Sequence, residues 1–79
     1  MNAEQIRQFS RATPFVPFVL ILSDGRKVLV RHPEFLDFSP GDRTVVVHQL
    51  DDSFELVDLL SVAKLERVVG PAASPPRRR

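Results

Sequence analysis

Cysteine is absent from the 79 residues. Its absence removes disulfides, thiolate nucleophiles and cysteine-ligated zinc together, and fits a reducing, cytoplasmic compartment. Tryptophan and tyrosine are absent too, so stacking platforms for single-stranded nucleic acid would have to come from phenylalanine alone. Gly25, Gly41 and Gly70, the three glycines, stand too far apart to build a phosphate-cradling loop. The longest purely apolar run, Phe18 to Leu22, is far below the roughly 20 residues that cross a bilayer as a helix. The opening Met1-Asn2-Ala3-Glu4-Gln5-Ile6-Arg7 has no basic region leading into an apolar stretch. The expectation is a soluble, cytoplasmic protein with no membrane partner.

Catalytic constellations are equally scarce. The two histidines, His32 and His48, fall on different expected strands, and a metal would need a third and usually a fourth ligand around it. No Gly-x-Ser-x-Gly turn presents a nucleophile. Asp51-Asp52-Ser53-Phe54-Glu55 lacks the glycine and the length of a calcium loop and reads as a hairpin turn. These absences predict a protein that is not an enzyme, with no metal, no cofactor and no evident small-molecule substrate.

Charge points the same way. The net charge of +1 depends on Arg77, Arg78 and Arg79; without them eight bases face ten acids. The body is therefore mildly acidic, without the basic excess of a nucleic-acid-binding domain. Arg26, Lys27, Arg31 and Arg43 are nevertheless the candidates for a modest basic edge patch, the minimum that phosphate binding requires.

Along the chain, Asn2 followed three residues later by Gln5 is a capping-box signature and predicts a helix over residues 3–11. Ile6 and Phe9 give it one narrow apolar stripe. Thr13-Pro14 ends it, because proline disfavours helical geometry in the residue before it. From Phe15 the vocabulary changes to β-branched and aromatic residues broken by turn chemistry, which predicts short antiparallel strands at about 18–22, 27–31, 35–38, 43–49, 53–57 and 62–69. Ser23-Asp24-Gly25-Arg26 between the first two is a hairpin signal, since glycine tolerates positive φ. Phe54 and Leu56 are expected on one face and Glu55 on the other. Asp58-Leu59-Leu60-Ser61 looks like a helical turn, and a short helix over 59–65 is the alternative to a last strand. Residues 70–79, with three prolines and no large apolar side chain, read as a disordered Pro/Arg tail behind one small domain spanning 1–69.

The run Pro17-Phe18-Val19-Leu20-Ile21-Leu22-Ser23-Asp24-Gly25-Arg26, with His32-Pro33-Glu34-Phe35 and Phe54-Glu55-Leu56-Val57-Asp58-Leu59-Leu60, resembles a group of small bacterial proteins of uncharacterised function. Phe18 to Arg31 is also similar to the opening of an Sm-like domain, where a helix precedes a strand, an Asp-Gly-Arg turn and a second strand. That resemblance agrees with what the order of elements predicts, a mainly β fold (α+β): an N-terminal helix followed by a five-stranded antiparallel small barrel or bent sheet, SH3-like or Sm-like. It also implies RNA binding, yet Asn2 is the only asparagine, so the loop Asp and Asn of the Sm-like uridine pocket have no counterpart.

A barrel this small struggles to bury six phenylalanines, and exposed apolar residues mark partner contacts. Phe15, Val16 and Phe18, beside the first strand, are the candidate protein-interaction residues. The expected function is a non-catalytic protein-interaction or self-assembly module, binding a protein partner or itself as a homo-oligomer. The alternative is an Sm-like RNA-binding protein using Arg26, Lys27, Arg31 and Arg43.

Overall fold

The computed structural model describes residues 1–68. The tail expected at 70–79 and the last residue of the expected domain lie outside the described residues. The chain begins with α1 (Ala3–Ser10), whose start is closed reciprocally. The Asn2 side chain accepts the Gln5 N–H at 3.0 Å and the Gln5 side chain accepts the Asn2 N–H at 3.1 Å. Two of the helix's orphan donors are thereby satisfied. The helix stops one residue short of the expected end, with Arg11 as its C-cap.

Six strands follow: β1 (Phe18–Leu22), β2 (Lys27–Val30), β3 (Leu36–Phe38), β4 (Thr44–His48), β5 (Phe54–Asp58) and β6 (Val62–Arg67). They form two three-stranded antiparallel sheets, ordered β2-β1-β6 and β3-β4-β5. The β1–β2 hairpin turns where the Asp-Gly signal placed it. Gly25 has φ +92°, and the Asp24 carboxylate accepts the Arg26 N–H at 3.0 Å.

The two sheets pack through one common core. Phe18, Leu20 and Leu22 point inward from β1, Val28 and Val30 from β2, and Val45, Val47 and Val57 from the second sheet. Ile6 and Ala3 bring α1 onto this core, and Phe9 meets Phe18 edge to face at 5.3 Å. Such pairs add to area burial because the positive ring edge meets the negative face. On the free edge of β2 the Leu29 carbonyl accepts the Gln49 side-chain amide at 3.2 Å, tying the first sheet to the end of β4.

The expected five-stranded barrel is replaced by six strands in two small sheets that do not close. Two breaks in the chain account for this. His32-Pro33 initiates a 3₁₀ turn at Pro33–Phe35, which separates β2 from β3. A second 3₁₀ turn, Leu59–Ser61, keeps the consecutive strands β5 and β6 from pairing. It is pinned from both sides: the Leu59 N–H donates to the Arg43 carbonyl at 3.0 Å, and the Ser61 carbonyl accepts the Ser23 N–H at 2.8 Å. The helical alternative over 59–65 is confined to that single turn, because β1 supplies a hydrogen-bonding partner for Val62–Arg67.

Candidate interaction surface

Of the three residues expected to meet a partner, Phe18 is the clearest correction. It is 0% exposed and sits at the centre of the core. The run Phe18–Leu22 is apolar at every position, so its periodicity could not say which alternate set faces in; pairing with Val30 and Val28 turns Phe18 and Leu20 inward. Phe15 is half-buried, with Phe18 at 6.2 Å on one side and the His32 ring stacked at 6.2 Å on the other. Val16 is half-buried as well.

The four basic candidates come from the β1–β2 turn, the two ends of β2 and the β3–β4 turn. Arg26 is held by Asp24 within its own turn at 2.9 Å. Lys27 opens β2 and Arg31 follows its last residue, four residues or roughly 13 Å apart along a strand. Arg43 lies in the β3–β4 turn beside the Leu59–Ser61 turn. Among the described residues no group of three or more His, Asp or Glu side chains could hold a metal ion, and no helix is long and apolar enough to cross a membrane.

The exposed apolar surface lies on β5. Val45 and Val47 of β4 are buried, and strand alternation therefore turns Val46 and His48 outward. Leu56 is paired opposite Val46 and Phe54 opposite His48, so both share that outward face. Leu56 is 67% exposed and Phe54 61%, and the Phe54 and His48 rings are 6.2 Å apart. Leu50 at 71% and Leu60 at 80% flank the strand. A shallow groove of about 380 Å³ continues the surface past His48 and Leu50 to Phe35. Acidic side chains surround the patch: Asp37, opposite Val46 on β3, Asp51 and Asp52 in the β4–β5 turn, and Asp58 at the end of β5.

The backbone of β5 is as open as its face. The Gln49 N–H donates to the Ser53 carbonyl at 2.9 Å, which fixes the phase of the ladder. Alternation then makes Val47–Glu55 and Val45–Val57 the hydrogen-bonded pairs. The N–H and C=O groups of Phe54 and Leu56 point away from β4, to an edge with no paired strand among the described residues. A strand edge of this kind is a template for another strand, and natural folds usually blunt it with lysine, proline or a bulge inside the strand. β5 has none of these. In the turn before it, Asp52 adopts φ +71°.

The sequence signal for this site was the Phe54-Glu55-Leu56 alternation, which did place Phe54 and Leu56 together. Which face was covered depended on the valine run Val45-Val46-Val47, whose own phase the sequence leaves open. Comparison with protein families, with curated proteins and with solved structures finds no match to this chain.

Proposed function

We propose that the chain is a non-catalytic self-assembly module whose β5 edge accepts a strand from a second copy. The observation that carries this reading is the coincidence on β5 of unpaired backbone groups with Phe54 and Leu56, both more than half exposed. Strand addition uses the two together: the main-chain ladder supplies affinity and the alternate side chains supply specificity. The complementary edge is β6, which lies at the border of the other sheet. β6 carries Lys64 and Arg67, opposite in sign to Glu55 and Asp58 on β5, although Lys64 is paired with Glu66 of its own strand at 2.8 Å and Arg67 lies over the Phe9 ring. Pairing β5 with β6 of the next copy is heterologous and builds a ring or a filament rather than a twofold dimer. A symmetric β5–β5 pair centred on Glu55 would set two carboxylates opposite each other, which is unfavourable, whereas one centred on Leu56 would not, so a twofold dimer is the competing assembly.

The order of one helix followed by short antiparallel strands is what favours an SH3-like, Sm-like reading of the fold, although the two sheets stay open. β2 and β3 lie in different sheets and are separated by Arg31, His32 and the Pro33–Phe35 turn; only if they are taken as two halves of one bent strand does the count become five. Small β folds host many functions, so the assignment rests on the surface and not on the fold. The RNA-binding alternative has no comparable observation behind it.

Size exclusion coupled to light scattering tests the proposal. The wild type is expected at a multiple of the 8.9 kDa chain mass and Leu56→Lys at one chain. A wild type that stays at one chain mass at every concentration, or a Leu56→Lys variant that assembles as the wild type does, overturns it. Phe15→Ala should leave the assembly unchanged.

A further inference from the structure

A second concave site lies where the start of α1 meets the β3–β4 turn and the Leu59–Ser61 turn. It is a cleft of about 500 Å³ with an apolar side made by Met1, Ala3, Leu59 and Leu60. Ala3 and Leu59 are buried and form a fixed floor, while Leu60 is 80% exposed at its mouth. Its polar side carries Glu4, Arg7, Asp42 and Arg43. Arg7 is clamped to Asp42 by two hydrogen bonds of 3.0 and 2.6 Å, and its guanidinium lies 4.4 Å from the centre of the Phe38 ring. Asp42 is held at φ +58°, a left-handed conformation uncommon outside glycine. Glu4 has Arg11 at 3.7 Å.

Both carboxylates that line the cleft have an arginine beside them, whereas Arg43 and the Met1 amino group have no ion-pair partner among the described residues. An apolar floor with an unpaired arginine among its lining residues suits a ligand with an aliphatic body and one negative end. Guanidinium presents paired donors that match the two oxygens of a carboxylate. We propose that this cleft binds an aliphatic carboxylate, with its tail over Ala3, Leu59 and Leu60 and its carboxylate on Arg43. Two sources share that chemistry: a free medium-chain acid, and the C-terminal leucine of a polypeptide.

Amide-resolved NMR titration of the full chain distinguishes them, using sodium octanoate, octanamide, and a peptide ending in leucine as the free acid or the C-terminal amide. The expected result is saturable shifts at Ala3, Glu4, Arg43 and Leu60 with a carboxylate probe, and binding weaker by roughly tenfold for its amide counterpart, the scale of a charge-assisted hydrogen bond. Arg43→Gln should weaken the carboxylate to the level of the amide, while Arg31→Gln, at the far end of β2, should not. Tighter binding of octanoate identifies a free acid as the ligand, and tighter binding of the peptide acid identifies a chain terminus. Equal affinity for acid and amide, indifference to Arg43→Gln, or no saturable shift with either acid overturns the proposal. Phe54 and Leu56 do not line the cleft, so failure here leaves the β5 assembly standing, and loss of assembly in Leu56→Lys leaves the cleft intact.

Discussion

Truncating Phe18 and truncating Leu56 remove similar apolar side chains from opposite environments, and the difference between them tests the division of the molecule into core and surface. Phe18 is 0% exposed and packs edge to face on Phe9 at 5.3 Å and on Phe15 at 6.2 Å. Phe18→Ala therefore loses transfer free energy, leaves a cavity and breaks both ring contacts, at a cost of about 4–5 kcal/mol. Stability on the order of 4–12 kcal/mol is expected for a chain of this length, so the variant approaches complete unfolding. Leu56 is 67% exposed and keeps only about a third of its burial, so Leu56→Ala should cost about 0.5–1 kcal/mol. Urea denaturation followed by far-ultraviolet circular dichroism is the suitable assay, because the chain has no tryptophan or tyrosine to report by fluorescence. It should be run at low protein concentration, since association would add a concentration-dependent term. Phe18→Leu, which keeps most of the volume, should fold with a loss of about 1–1.5 kcal/mol and keeps the comparison measurable. If Phe18→Ala costs less than about 1.5 kcal/mol, or less than Leu56→Ala, the core assignment is wrong.

Two turn substitutions should act in opposite directions. Gly25 has φ +92° with open space around a built Cβ, so Gly25→Ala should lose about 1 kcal/mol through backbone strain alone; Asp52, at φ +71°, should gain up to about 1 kcal/mol as Asp52→Gly, both read from the urea midpoint. Acid should weaken the fold through carboxylates whose pKa is lowered in the folded state. Asp42 is lowered chiefly by its hydrogen bond from Arg7, Asp24 by the Arg26 backbone N–H, Asp51 by Ser53 and Glu66 by Lys64. A lowered folded pKa means stabilisation that is complete above the unfolded value and lost as pH falls through the folded one. Thermal midpoints should therefore stay level from neutrality to about pH 5 and drop below about pH 4, with a shallower drop in Asp42→Asn; a midpoint that rises on acidification contradicts this.

Local chemistry in the sequence translated well into structure. The Asn2–Gln5 capping box, the Asp24-Gly25 hairpin and the helical turn after Asp58 each depend on a few adjacent residues. Facing did not translate, because it is decided between strands. Phe18–Leu22 and Val45–Val47 are apolar at every position, so neither run reveals which alternate residues meet the core. Only the pairings Phe18 with Val30 and Val45 with Val57 settle it, burying Phe18 and exposing Leu56. The placing of Lys27 and Arg31 is likewise a product of chain path: one opens β2 and the other follows its end. The Arg7–Asp42 pair spans 35 residues of sequence and had no local signal at all.

Amide hydrogen exchange at Phe54 and Leu56, followed as protein concentration is raised, tests the β5 edge most directly. Their N–H groups point away from β4, so in a single chain they should exchange quickly while Glu55 and Val57 are protected by the ladder. The account predicts that Phe54 and Leu56 become protected together over the concentration range in which light scattering detects assembly. If they exchange quickly throughout that range, the copies associate through some other surface and the β5 proposal is wrong.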